Sequence, residues 1–122
     1  MVKKDYIDKI ERICVNRGIK KPKDVAVKLY DILKQMIYST TGREKKLGRK
    51  NYLVIGDLVE LLDVYLGKGC KYCGEIISVK NISLDHVVAV ANGGESRIDN
   101  VQFVCLACNK RKSIISDGGF KR

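Results

Sequence analysis

Apolar residues recur at three- and four-residue spacing through the first half of the chain, then give way to short apolar runs broken by turn formers. From Lys4 to about Asn16, Tyr6, Ile7, Ile10, Ile13 and Cys14 fall on one helical face, and Gly18 supplies a stop. Pro22 suits the first turn of a second helix. Asp24 places an acid near its positive end, and Val25, Leu29, Ile32, Leu33, Met36 and Ile37 continue an apolar stripe. This spacing predicts a long amphipathic helix ending near Ser39-Thr40-Thr41-Gly42. A third stripe, Leu58, Val59, Leu61, Leu62 and Tyr65, follows a candidate cap at Asp57 and stops at Gly67.

Beyond Gly67 the helical period is lost. Leu84, Val87, Val88 and Val90 suit a strand, Asn92-Gly93-Gly94 supplies turn chemistry, and Val101-Gln102-Phe103-Val104 reads as a returning strand. A short helix is expected from near Leu106, through Lys112, to about Ile115. The fold class is therefore α+β, with a helical N-terminal region over residues 1–66 and a β-hairpin-helix module over 67–122. The chain carries no internal repeat, low-complexity tract or Pro-rich linker, so the two parts are expected to pack together.

A length of 122 residues gives one small core, which a structural metal would help to hold. The net charge of +10 favours a polyanionic partner, and nucleic acid leads. Fifteen basic side chains stand against nine acidic ones up to Leu66, and nine against five beyond it, so both parts can meet phosphate. Arg43, Lys45, Lys46, Arg49 and Lys50 crowd the segment 43–52, which reads as a basic loop able to contact backbone phosphates without reading sequence. No apolar run is long enough to span a bilayer, and Met1-Val2-Lys3-Lys4-Asp5 leads into charged residues. An intracellular protein, cytoplasmic or nucleoid-associated and without a membrane partner, is expected.

Five cysteines in such a chain argue for metal binding over disulfides. Cys70/Cys73 and Cys105/Cys108 form two Cys-x-x-Cys pairs whose soft thiolates suit one tetrahedral structural Zn²⁺, with no position left open for chemistry. Cys14 is the odd one out, a small buried side chain with no assigned function. Thirty-one residues separate Cys73 from Cys105, more than a compact zinc ribbon uses. Inside and just after that frame lie Asp85-His86, Asn100 and Asn109. An acid, a histidine and an amide there offer oxygen ligands for a second, harder metal and a general base beside it, which points to a metal-assisted nuclease.

Read together, Cys70-Lys71-Tyr72-Cys73-Gly74, Leu84-Asp85-His86-Val87-Val88, Gly93-Gly94, Asp99-Asn100 and Cys105-Leu106-Ala107-Cys108-Asn109-Lys110-Arg111-Lys112 resemble the HNH endonuclease family over roughly Gly67 to Ser116. The resemblance implies a ββα-metal core that hydrolyses phosphodiester bonds in DNA. By that similarity Asp85 maps onto the metal-ligating acid, His86 onto the general base, Asn100 onto the middle Asn and Asn109 onto the last position of the motif. His86 is the single histidine of the chain. Asp85 and Asn109, both hard donors, would hold catalytic Mg²⁺ or Mn²⁺, and Asn100 would hold the hairpin and through it His86. Asn92, flanked by glycine, is a lesser alternative to Asn100 or Asn109.

Two positions depart from the family pattern. Asn109 stands where many relatives carry His, and no proline follows Asp-His within Val87-Val88-Ala89-Val90. Lys110, Arg111 and Lys112 are expected to clamp the scissile strand or stabilise the displaced phosphate, while Lys121 and Arg122 carry no role. Cutting both strands would involve a homodimer. Two other readings compete, a non-catalytic zinc-dependent nucleic-acid-binding module and a protein-interaction zinc knuckle, and neither needs Asp85, His86 and Asn109 together.

Overall fold

In the computed structural model, which describes residues 2–112, three helices lead into a two-stranded antiparallel sheet and a closing helix. Helix α1 spans Lys3–Asn16 and buries Ile10, Ile13 and Cys14; the last is fully enclosed, as expected of a small core side chain. Its end is set by Gly18 at φ +70°. The Gly18 N–H donates to the Val15 carbonyl and the Ile19 N–H to the Cys14 carbonyl, each at 3.0 Å, the paired bonds of a Schellman stop.

Helix α2 runs from Pro22 to Lys46, one turn past the expected end at Gly42. A mid-helix glycine costs only about 1 kcal/mol, and the helix continues past it through the buried Thr40 and Glu44, the latter paired with Arg49. The true stop is Gly48 at φ +69°, where the Gly48 N–H meets the Lys45 carbonyl and the Arg49 N–H meets the Glu44 carbonyl at 2.8 Å. Arg43, Lys45 and Lys46 are thus helical, which corrects the expected basic loop over 43–52; the irregular connection is 47–54. Even this stretch is fastened, because Asn51 donates to Thr41 Oγ1 at 2.9 Å and accepts the Leu53 N–H at 2.9 Å.

Helix α3 covers Ile55–Tyr65. Asp57 is not its cap but sits inside the first turn, accepting the Val54 N–H at 3.0 Å. Arg17 reaches from the end of α1 to the Leu66 carbonyl at 3.0 Å and to Asp63, tying the last turn of α3 to the first helix.

Strand β1 is Ile82–His86, strand β2 is Val101–Cys105, and helix α4 is Leu106–Lys112. The register pairs Asp85 with Gln102 and His86 with Val101. The first strand stops earlier than the apolar run to Val90 suggested. After His86 the chain bends, and Val90–Asn92 forms a short 3-10 turn. The cause is Asn100, whose carbonyl accepts the Val87 N–H at 2.8 Å and whose side chain both accepts from and donates to the Val88 backbone. Gly94 completes the bend, since a Cβ there would lie 1.7 Å from the Val88 carbonyl oxygen. Of the expected continuation of the last helix, Ile115 lies outside the described residues, as do Lys121 and Arg122.

One continuous core joins the helices to the sheet. Leu29, Leu33, Leu58 and Leu62 belong to one buried cluster with Ile77, Phe103 and Val104, and the Tyr65 ring packs edge-on against Phe103 with centroids 6.2 Å apart. The hairpin that bears the Asp-His pair is therefore braced from behind by α3. No helix among the described residues is long and apolar enough to cross a membrane.

Candidate functional site

The four paired cysteines converge. Cys70 sits in a tight turn closed by the Gly74 N–H on the Cys70 carbonyl at 2.8 Å, and Cys105 and Cys108 straddle the junction of β2 with α4. Their four Sγ atoms lie within 4.8 Å of one another. A tetrahedral ion with metal–sulfur bonds of about 2.3 Å needs sulfurs about 3.8 Å apart, so the cluster fits one Zn²⁺. Backbone N–H groups already face the sulfurs, Glu75 toward Cys73 at 3.4 Å and Cys105 toward Cys70 at 3.5 Å. Burial, reinforced by the neighbouring thiols, pushes Cys105 up to about 12, and burial also raises Cys108. Burial works against ionising Cys70 as well, yet hydrogen bonds from the neighbouring cysteines hold it below its ordinary value, so it is Cys105 and Cys108 whose ionisation a cation among the sulfurs would favour. Arg111, expected to clamp nucleic acid, points its guanidinium at Cys108 Sγ, 3.3 Å away.

A second, polar cluster lies where β1, α4 and the end of α2 meet. Asp85, His86 and Asn109 line one cavity of about 320 Å³ together with Arg43, Lys110 and Ala89. Asn109 donates its amide hydrogens to Ser83 Oγ at 2.6 Å and to the Leu84 carbonyl at 2.9 Å, which leaves its Oδ1 without either bond. Asp85 is almost wholly buried, and its Oδ2 accepts from Lys112 Nζ and from Gln102 Nε2, each at 2.8 Å. None of the bonds to Asp85 uses Oδ1. One carboxylate oxygen and one amide oxygen in a shared cavity are a donor set that fits a hard divalent cation completed by water or phosphate.

His86 is 7% exposed, and its Nε2 lies 2.9 Å from Ser96 Oγ. Burial lowers its pKa below the ordinary 6.5, nearby Arg43 lowers it further, and Asp85 and Glu44 oppose the shift. The neutral, proton-accepting imidazole is thereby favoured near neutral pH.

The remaining expected site residues divide by location. Asn100 stays out of this cavity and pins the adjoining bend, adding a bond to the Glu95 carbonyl at 2.8 Å. Asn92 is exposed in the 3-10 turn and does not line the cavity. Lys45, Lys46, Lys50 and Lys110 are exposed, and Lys50 lies over the Tyr52 ring. Two expected phosphate contacts are spent inside the protein. Lys112 is fully buried, bridging Asp85 and the His86 carbonyl, and Arg49 is bound to Glu44 and to the Gly94 carbonyl.

Sequence reasoning missed Ser96, Gln102 and Tyr72. Gln102 was accessible in principle, because a hairpin register places it opposite Asp85. Ser96, in the loop between the turn and β2, offers no such signal. No curated protein matches the chain. Residues 70–122, the segment that holds the cysteine cluster and the Asp-His hairpin closed by an Asn-bearing helix, match the family model described as HNH endonuclease.

Proposed function

We propose that the protein is a metal-dependent DNA endonuclease in which His86 is the general base and Asp85 and Asn109 hold Mg²⁺ or Mn²⁺. The observation that carries this reading is the convergence of those three side chains on one cavity walled by Arg43 and Lys110. A binding module would have no use for a buried, neutral-leaning imidazole beside two uncommitted hard oxygens.

His86 takes the proton of a water as that water attacks phosphorus in line with the departing 3′ oxygen. Asp85 and Asn109 would hold the divalent cation, which when bound would supply electrostatic stabilisation of charge on the phosphate. Arg43 and Lys110, both exposed on the cavity wall, bind and orient the phosphate. A cleft of about 460 Å³ between α2 and β1 opens from the same place, sharing Arg43, Leu84, His86 and Asn109, and gives the strand a path along the helical part. Lys112 neutralises the buried oxygen of Asp85, a structural duty replacing the strand clamp expected of it. One chain assembles the entire site, so the reading needs no homodimer.

The deciding experiment is cleavage of supercoiled plasmid with Mg²⁺ or Mn²⁺ by the wild type beside His86→Ala, both first shown to carry zinc. Metal-dependent nicking or linearisation lost in the variant is the expected result. Salt-sensitive DNA binding by both proteins, with cleavage by neither, would establish the zinc-dependent binding module instead.

A further inference from the structure

We propose that Ser96 is the positioning residue for His86, and that the helical N-terminal region sets the place of Ser96 through a latch between the 47–54 connection and the 94–97 loop. The inference rests on the nuclease reading for its consequence in catalysis, but its geometry stands apart from it.

Ser96 is fully buried, and its Oγ lies 2.9 Å from His86 Nε2. Among the described residues His86 is the side-chain partner of this hydroxyl, and Nδ1 of the ring makes no hydrogen bond. With Nε2 engaged, Nδ1 is the ring nitrogen left for a reactant. For Nδ1 to accept a proton, Nε2 must carry the hydrogen and donate it to Ser96. A serine hydroxyl can donate as well as accept, so the contact fixes the ring's place, and the proposed arrangement is the one in which Ser96 accepts and Nδ1 is left to take the proton.

Ser96 cannot hold a ring unless it is held itself, and three contacts from the helical half do this. The Tyr52 N–H donates to the Ser96 carbonyl at 3.0 Å. The Arg97 guanidinium lies over the Tyr52 ring, 3.7 Å from its centroid. Arg49 binds the Gly94 carbonyl while paired with Glu44, which is 1% exposed. Asn100 fixes the other side of the same loop at Glu95. The loop bearing Ser96 is thus gripped between the end of α2 and the start of β2, and the grip explains why Arg49 faces inward and not toward solvent.

The test uses the full-length zinc-loaded chain and the fact that His86 is its single histidine. Long-range nitrogen NMR at a fixed pH well above the imidazole range reports which ring nitrogen carries the hydrogen, free of overlap. Wild type is expected as the Nε2–H form. Ser96→Ala should give a mixture of both forms and lower kcat on plasmid on the order of 10–100-fold at unchanged KM, while Ser96→Thr, which keeps the hydroxyl, restores both readouts. Glu44→Gln combined with Arg49→Met removes the latch's charge pair without stranding a buried charge, and should lower kcat severalfold with the same spectral change.

Zinc content and the thermal midpoint verify folding of each variant. An Nδ1–H form in the wild type, or a Ser96→Ala protein with unaltered tautomer and kcat, would overturn the assignment of Ser96. An unaltered double variant would overturn the latch. If the wild type cuts nothing, the nuclease reading fails, and the spectra still decide whether Ser96 holds the ring.

Discussion

The cysteine cluster and the Asp85–His86 cavity are built from the same hairpin and helix, yet they are assembled in opposite ways. The cluster is local: each pair of sulfurs is delivered by one turn, and its supporting N–H groups belong to Glu75 and Cys105, next to or among the ligands themselves. The cavity is distributed. Its carboxylate and imidazole come from β1, its amide from α4, a cationic side chain from the end of α2, and the hydroxyl on its imidazole from a loop fastened by the 47–54 connection. A soft-metal site tolerates this economy because four identical strong ligands dominate its energetics. The hydrolysis proposed for the cavity would depend on orientation and charge, a task that many weak contacts from remote segments can share.

The sharpest break of this comparison is removal of one sulfur. Cys105→Ala lies between the end of β2 and α4, so losing its bond to the ion should abolish stoichiometric zinc and unfold the hairpin, an effect of at least several kcal/mol. Metal analysis with near-UV dichroism reads it. The α1–α3 helices should keep much of their far-UV signal, since their own faces bury Ile10, Leu29, Leu33 and Leu58 together. Retained zinc with a native hairpin would show that the cluster is not what holds this half.

His86→Ala should do the reverse, costing about 10²–10⁴-fold in rate through the lost general base while leaving zinc and the unfolding midpoint close to wild type. A buried imidazole with one hydrogen bond contributes little beyond that bond, so a large stability loss would recast His86 as a packing residue.

The two sites were also unequally legible in the sequence. Cys-x-x-Cys states its own geometry, because two thiols at that spacing meet across one turn, and the helical stripes of α1 to α3 followed from their period. The misreadings have physical causes. Gly42 looked like a stop because a glycine's local cost is visible, whereas the tertiary contacts of the turn beyond it, such as the Glu44–Arg49 pair, are not. Val87, Val88 and Val90 looked like strand because their propensity is local, whereas the Asn100 clip that ends the strand comes from twelve residues away. The basic side chains misled most. Charge alone cannot distinguish Lys110, which faces solvent at the cavity, from Lys112, buried on Asp85 two residues later.

That contrast supplies a third test. Lys112→Ala leaves the Asp85 carboxylate buried without its cation, which costs roughly 3–5 kcal/mol when a buried pair is broken. Lys112→Met with Asp85→Asn removes both charges and should recover most of that loss by denaturant unfolding, though not the activity. A Lys112→Ala protein as stable as wild type, with DNA binding weakened instead, would return Lys112 to the phosphate-contacting role.

Arg43→Gln probes the far end of the distributed site with the smallest effect. The side chain is exposed on α2, so stability near neutral pH should hold, while DNA binding weakens and its salt slope falls by about 1. Arg43 also helps to keep the His86 pKa below 6.5, second to burial. A depressed histidine contributes stability that is present above the unfolded value of about 6.5 and is lost as pH falls through the folded one, because the unfolded chain binds the proton first. Removing the guanidinium favours the imidazolium, so in Arg43→Gln the acid limb of activity should move upward and the loss of stability below pH 6.5 should shrink. A limb that stays in place, with binding alone weakened, would confine Arg43 to the phosphate and leave burial as the cause of the neutral imidazole.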